Sequence, residues 1–163
     1  MPLVEVLRAH PFSEGMPETL VKKLASLARP VEFDEDEIVF RSGERSMNFC
    51  LLICGSAAVE IRTPYYGFCV ETLGPGDAFG WSRLLDDHHT VFQVRAREPI
   101  SAVFLDGKKL TEACRKDPKL GAEVYYRLAR IVAKRVRATE DRLAEFCGSS
   151  KNNHHQNAPA ESE

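Results

Sequence analysis

The sequence has few cysteines, the residues whose disulfide bonds stabilise small secreted domains, and none of the patterns that are typical of membrane proteins. Its five cysteines are scattered and odd in number, which excludes a complete disulfide framework and indicates reduced thiols. No apolar run approaches the roughly 20 residues of a membrane span. The first residues, Met1 to Arg8, lack a basic region followed by a long apolar core. These absences predict a cytoplasmic protein with no membrane segment and no signal peptide.

Strong net charge and catalytic motifs are also missing. The formal net charge of -2 gives no reason to expect nucleic acid as a direct partner. None of the five histidines forms a strand pair spaced two apart, as a metal-binding jelly roll needs, and no nucleophile elbow or P-loop occurs. We therefore predict no catalytic residues, no metal site, no resident cofactor and no enzymatic activity.

The apolar residues that are present divide the chain into three parts. With 163 residues, of which 44% are hydrophobic, the chain has enough apolar material for one domain with a real core. Residues up to about 28 show helical spacing, residues 30–105 read as short strands cut by turns, and residues 120–146 read as one long helix. The predicted domain is 1–147. Gly148 is predicted to end the helix, and residues 148–163 to form a disordered polar tail.

The predicted long helix carries more apolar side chains than a small barrel can cover. We expect its far end to pair with a second copy of the chain as a coiled coil, giving a homodimer. Its basic residues are interpreted as a solvated face rather than as a nucleic-acid or membrane surface. The apolar stripe consists of Val124, Leu128, Ile131, Val132, Val136, Leu143 and Phe146, and the basic residues are Arg127, Arg130, Lys134, Arg135, Arg137 and Arg142.

A glycine-rich turn at residues 73–80 leads into a short predicted helix. Gly74 and Gly76 flank Pro75, and Gly80 precedes the helical run. A glycine turn that feeds a helix start exposes backbone N–H groups, which suit an anion and above all a phosphate. The same pattern is also compatible with a plain turn and a surface helix joining two strands.

Three glycine-marked motifs, in order along the chain, resemble those of the cyclic-nucleotide-binding domain family. They are Phe-Arg-Ser-Gly-Glu at 40–44, Leu-Leu-Ile-Cys-Gly-Ser-Ala-Ala-Val at 51–59 and Leu-Gly-Pro-Gly-Asp-Ala-Phe-Gly at 73–80. The resemblance covers residues 5–146. It implies a mainly β fold with flanking helices, namely a jelly-roll (double-stranded β-helix, RmlC-like) barrel. N-terminal helices, a short cassette helix and a long C-terminal helix complete the implied fold, whose role in the family is regulatory signal transduction.

The resemblance fails at the two charged residues that hold the ligand in the family. The family's cassette has a glutamate for the ribose 2′-hydroxyl and an arginine for the cyclic phosphate. Here Trp81 stands at the glutamate position, and Thr90-Val91-Phe92 stands where the arginine motif belongs. Each lost contact is worth roughly 1.5–3 kcal/mol, so a cyclic nucleotide is expected to bind on the order of a thousandfold more weakly.

The candidate pocket is therefore expected to differ from that of the family. Trp81 offers a ring surface for stacking or fills the space itself, and Arg83, His88, His89 or Arg95 are candidates for replacement positive charge. The predicted pocket residues are Phe79, Gly80, Trp81, Ser82, Arg83, His89, Thr90 and Val91.

Two functions are compatible with these residues. The first is a stand-alone sensor in which a ligand at residues 79–92 is coupled to the long helix, the ligand being a cyclic nucleotide or another small anionic or aromatic molecule. The alternative is a ligand-free structural, dimerisation or interaction module on the same fold. Because only a polar stretch follows Gly148, no helix-turn-helix is expected, and regulation would act through a separate effector protein.

Overall fold

The computed structural model describes residues 2–65, 67–85 and 91–152, with the backbone alone for Arg83 and for residues 149–152. Helices lie at both ends of this part of the chain and strands lie between them, in the predicted order. In the same residues, no helix combines the length and the apolar character that a bilayer crossing requires.

Two short helices precede the barrel. They are α1 (Leu3–Ala9) and α2 (Glu18–Leu27), separated by a 3-10 turn at Pro11–Ser13. Pro2 and Pro17 occupy the N-terminal caps, and their carbonyl groups accept the first helical hydrogen bonds. The apolar face of α2 is buried against the barrel, as the helical spacing predicts.

Eight strands form two antiparallel sheets of four strands each, which confirms the predicted jelly roll. The strands are β1 (Ala28–Phe33), β2 (Ile38–Phe40), β3 (Asn48–Cys54), β4 (Ala57–Arg62), β5 (Gly67–Leu73), β6 (Ala78–Phe79), β7 (Phe92–Ala96) and β8 (Ile100–Asp106). The strand order is β1-β8-β3-β6 in one sheet and β2-β7-β4-β5 in the other. A four-residue helix, α3 (Ser82–Leu85), lies between β6 and β7, where the resemblance implied a cassette helix.

The apolar side chains form two clusters, one on each face of β3. Cys50 and Leu52 belong to the cluster that fills the space between the sheets. Phe49 and Leu51 belong to the other cluster, which packs the first sheet against the helices. Because both faces of β3 are buried, its sequence is a continuous apolar run instead of an alternating one.

The last two helices, α4 (Gly107–Lys116) and α5 (Pro118–Asn152), pack against the barrel. Val124 and Leu128 of α5 are fully buried, whereas Leu143 and Phe146 are more than half exposed. The predicted end of this helix at Gly148 is wrong, because α5 continues through Gly148 to residue 152. Gly148 does not adopt the left-handed conformation of a helix cap, and one glycine inside a long helix costs only about 1 kcal/mol relative to alanine.

A buried histidine joins the N-terminal helices to the barrel. Nδ1 of His10 accepts a hydrogen bond from the backbone N–H of Phe12 at 3.1 Å, so Nε2 carries the proton and donates to the Leu52 carbonyl at 3.2 Å. Burial lowers the pKa of His10, while the Leu52 hydrogen bond and the charge of Asp77 oppose this shift. The native structure therefore favours the neutral ring, and a second proton would remove the acceptor that Phe12 uses.

We expect this contact to make the fold acid-sensitive. The pKa of His10 is lower in the folded chain than in the unfolded one, so its stabilisation is complete above about pH 6.5 and is lost as the pH falls through the folded-state pKa. His10→Gln should be less stable than the natural chain by about 1–3 kcal/mol near neutral pH. This difference should shrink in urea unfolding at about pH 5.5 relative to about pH 7.5. A difference that stays constant with pH would contradict the assignment.

Candidate functional site

The described part of the chain encloses a small cavity between the two sheets, beside the start of α3. Its volume is about 50 Å³. The walls come from both sheets, from the chain between β6 and α3, and from one side chain of α5. The lining residues are Phe40, Ser46, Val59, Phe79, Gly80, Trp81, Ser82, Phe92, Val94 and Arg135.

Aromatic side chains account for the small volume. The ring of Phe40 packs edge-on against Phe79 at 5.3 Å and stacks with Phe104 at 5.7 Å. Trp81 lines the cavity and is also packed against the cluster of apolar side chains that holds the helices to the barrel. Pockets for organic ligands usually measure about 300–1,000 Å³. A nucleotide therefore enters this cavity only if its walls move.

Gly80 connects β6 to α3 at a point where the neighbouring residues leave no room for a side chain. Its φ angle is +78°, and a Cβ atom built on it would lie 2.4 Å from the Asn48 carbonyl oxygen and 2.5 Å from the Phe40 ring. Both neighbours are fixed by the barrel, so no larger residue fits. This close approach places the Trp81 and Ser82 side chains at the cavity wall.

The predicted pocket residues fall into three groups. Phe79, Gly80, Trp81 and Ser82 line the cavity together. Val91 does not line it, since its side chain is 62% exposed. His88, His89, Thr90 and the side chain of Arg83 lie outside the described residues.

Arg95, one of the candidates for replacement charge, faces away from the cavity. It lies on the outer face of β7, where its Nε atom is 3.4 Å from Oε2 of Glu60 and its Nη1 atom donates to the Asp36 carbonyl at 3.1 Å. Its neighbour Val94 faces inward, as strand alternation requires. Of the four candidates for replacement charge, Arg95 therefore does not reach the cavity.

A cation from α5 reaches the cavity instead. Arg135 is 8% exposed and lines the cavity opposite the strands. Its assignment to a solvated basic face was wrong, although a signal was available. Arg135 follows Val124, Leu128 and Ile131 at helical spacing, so it occupies the next position of the buried stripe. Five further lining residues are absent from the predicted set, namely Phe40, Ser46, Val59, Phe92 and Val94. Of these, Val59 and Val94 follow inward strand alternation.

Arg135 forms an ion pair with Glu71 of β5. Their Nε and Oε2 atoms lie 2.5 Å apart, and both side chains are about one-tenth exposed. Neither atom has a hydrogen bond of good geometry with the described residues. Burial lowers the pKa of Arg135, and the carboxylates of Glu71 and Asp77 oppose the shift. The guanidinium stays charged, and it retains donor capacity that an anion in the cavity can use.

The polar groups at the cavity wall include one guanidinium and two hydroxyl groups. Arg135 provides positive charge and Ser82 a hydroxyl group, whereas the Ser46 hydroxyl already donates to the Asn48 carbonyl at 2.9 Å. Helix α3 has only four residues, so its dipole adds little. Among the residues that the structure describes, no group of three or more His, Cys, Asp or Glu side chains is arranged to hold a metal ion.

Comparison with known proteins identifies the family. A sequence model of the cyclic nucleotide-binding domain matches residues 30–117, which is more than half of the chain. This chain belongs to the cyclic nucleotide-binding domain family. The match covers the barrel and α4. Helices α1, α2 and α5 lie outside it.

Among curated proteins, this cyclic nucleotide-binding domain is similar to a CRP-like cAMP-activated global transcriptional regulator of Mycobacterium tuberculosis. The two are 25% identical over 143 residues, which cover 87% of this chain and 62% of the regulator. The chain thus spans less than two thirds of that relative's length.

Two solved structures share the fold. A putative cyclic nucleotide-binding protein from Geobacter metallireducens has a TM-score of 0.74 at 24% identity, over 83% of this chain and 99% of that one. The regulatory subunit of a cAMP-independent protein kinase A from Trypanosoma brucei has a TM-score of 0.71 at 21% identity, over 88% of this chain and 50% of that one. A variant of that subunit is bound to cAMP in its A site, and its changes are glutamate to alanine, threonine to arginine and valine to alanine.

We expect Gly80 to be the residue of this domain's cassette that tolerates substitution least. Gly80→Ala forces a Cβ atom into the Asn48 carbonyl and the Phe40 ring, whereas Gly15 has a similar φ of +71° with nothing within 4 Å. Gly15→Ala should cost about 1–2 kcal/mol of unfolding free energy from backbone strain alone. Gly80→Ala should cost at least about 2 kcal/mol more, because the core must also shift. Chemical denaturation measures both, and equal losses would contradict the predicted clash.

Proposed function

We propose that this chain is a non-enzymatic regulatory module in which a small anionic ligand, bound at the cassette, is coupled to α5. The observation that carries the proposal is the position of Arg135, which belongs to α5 but lines the barrel cavity. A ligand that contacts this guanidinium contacts the helix directly. Binding can then change the packing of α5 if the ligand has different affinities for two helix positions.

The proposed coupling acts through competition for one cation. In the absence of ligand, Glu71 is the anionic partner of Arg135. A phosphate or carboxylate of the ligand would take over part of the guanidinium, which has five donors in a planar fork. Because the cavity holds about 50 Å³, the ligand must also displace Trp81 or Phe92. The shift of Arg135 and the displacement of an aromatic ring would both alter the contacts of the cassette with the apolar cluster that packs the helices against the barrel.

An unmodified cyclic nucleotide is a weak candidate for this ligand. Trp81 and Thr90 occupy the positions where the family has its glutamate and arginine. The Trypanosoma brucei subunit described as cAMP-independent offers a parallel, since its cAMP-bound variant changes a threonine to arginine and a valine to alanine. Thr90 and Val91 are the same residue types in the same order. We infer that the natural ligand relies on Arg135 rather than on the cassette arginine.

A second candidate function is a ligand-independent dimerisation module. The small cavity favours it, as does an exposed apolar row on the outer half of α5. Val132, Val136, Leu143 and Phe146 are separated by four, seven and three residues, which is the spacing of a coiled-coil seam. Val136, Leu143 and Phe146 are all about half exposed or more. A second copy of this helix, or an effector's helix, would cover the row, and a dimer is compatible with ligand sensing as well.

Arg135→Gln provides the direct test of ligand coupling. Isothermal titration calorimetry of the full chain with cAMP, cGMP, cyclic di-GMP and AMP should find at least one ligand. Arg135→Gln should weaken that ligand by at least about tenfold, the effect of losing one charged hydrogen bond. Arg115→Gln is the control for the loss of one positive charge, because Arg115 is exposed on α4 and lines neither cavity. Circular dichroism checks that Arg135→Gln, which leaves Glu71 without its partner, stays folded.

The opposite outcome would support the second candidate. If none of these ligands binds, and sedimentation shows a concentration-dependent dimer that Leu143→Glu disrupts, the chain is a dimerisation module. Equal weakening by Arg135→Gln and Arg115→Gln would mean that the ligand binds outside the cavity.

A gain-of-function variant tests the divergent cassette independently. Thr90→Arg with Val91→Ala should tighten cAMP binding by about ten- to a hundredfold, and adding Trp81→Glu should raise the total gain to about a thousandfold. The double variant keeps Trp81, so it remains informative if the triple variant unfolds. Calorimetry measures the affinities, and circular dichroism checks the fold. Natively folded variants that still fail to bind cAMP would indicate that the cavity cannot open.

A further inference from the structure

A second cavity of the described structure, larger than the one inside the barrel, lies outside the barrel. It is a groove of about 740 Å³ between α5, the turn after α1 and the turn between β5 and β6. Pro11, Phe12 and Glu14 form one end, and Gly76 and Asp77 form the facing wall. The groove shares only Arg135 with the cavity inside the barrel. Its volume lies within the range of about 300–1,000 Å³ that is usual for binding sites.

One face of α5 gives the groove a row of positive charges. Arg127, Arg130, Lys134 and Arg137 line it at intervals of three, four and three residues, so they project from the same side of the helix. Two of the four are bonded across the groove. Arg127 donates to the Glu14 carbonyl at 2.7 Å, and Nζ of Lys134 donates to Oδ1 of Asp77 at 2.6 Å.

The other two cationic side chains of this row have no bonding partner among the described residues. Arg130 and Arg137 are exposed, and neither forms an ion pair or a hydrogen bond with any residue that the structure describes. They lie seven residues apart, which is about 10.5 Å along a helix axis. The Lys134–Asp77 bridge lies between them. This separation is too large for one phosphate or carboxylate to reach both guanidinium groups.

An extended acidic peptide fits this arrangement. Residues three apart in a polyproline II segment project from the same side and lie about 9 Å apart, close to the spacing of the two exposed arginines. Pro11 and Ile131 provide apolar surface in the groove for a side chain between the two acidic residues. A nucleic-acid backbone fits less well, because its evenly spaced phosphates would place a charge against the carboxylate of Asp77, which lies between the two arginines. A peptide can place an uncharged side chain there.

We propose that this groove binds an acidic segment of a partner protein in a polyproline II conformation. Two Asp or Glu residues of the segment, three positions apart, would pair with Arg130 and Arg137. The segment would contact α5, the N-terminal turn and the barrel at once, so its affinity would depend on how α5 is docked. This proposal does not rest on the ligand proposed for the barrel cavity, although Arg135 lines both sites.

Selection from a random library tests the partner's chemistry. Peptides of about twelve residues, long enough to span the groove in polyproline II form, are selected on the full chain and counter-selected on Arg130→Gln with Arg137→Gln. Enriched peptides should carry two acidic residues three apart. Fluorescence anisotropy should show that the double variant weakens them about five- to tenfold, as expected for two exposed charge contacts. The Arg115→Gln control should leave their affinity unchanged.

Three results would overturn the proposal. Enriched peptides without an acidic pair would show that charge does not select the partner, and equal affinity for the double variant would show that they bind elsewhere. Displacement of the peptides by inorganic phosphate or by a short single-stranded DNA, at concentrations where sodium chloride of equal ionic strength has no effect, would assign the groove to a small anion or to nucleic acid.

Discussion

Arg135 and Glu71 bring opposite charges to a place where little water reaches, and the docking of the long helix depends on them. Each side chain is about one-tenth exposed, and the pair joins α5 to β5. Removing one partner of such a pair commonly costs about 3–5 kcal/mol, because the other charge stays buried. The strand involved is the outer strand of its sheet. Arg142 of α5 also donates to the Val70 carbonyl of that strand, so the helix covers an edge that would otherwise be open to other chains.

The fold could be predicted from sequence because its constraints are local. Gly55 and Gly80, which belong to the motifs that carry the family resemblance, lie where a Cβ atom would be 2.4 Å from a backbone carbonyl oxygen. Such positions accept only glycine, so they can be recognised in the sequence by the glycine itself. Gly148 shows the limit of this reasoning, because a glycine near the expected end of a helix indicates a cap only when it adopts a positive φ angle.

The candidate site was harder to predict because it depends on contacts between distant segments. The sequence predicts a departure from the family at Trp81. The small volume of the cavity results from the packing of Phe40, Phe79 and Trp81, which come from different elements. Helical spacing places Arg135 on the buried stripe, yet an arginine is normally assigned to solvent. Its burial follows from Glu71, which precedes it by 64 residues and is the compensating charge.

Helix α5 has three faces with different chemistry, and their rigid connection is what makes regulation physically possible. One face buries Leu128 and Arg135 against the barrel, a second presents Arg130 and Arg137 to the groove, and a third exposes the apolar row that ends at Phe146. Packed helices shift as rigid bodies, because their interiors do not deform continuously. A ligand that draws Arg135 away from Glu71 would therefore move the other two faces as well. One change of charge partner inside the barrel would then be transmitted to both surfaces on which a partner can bind.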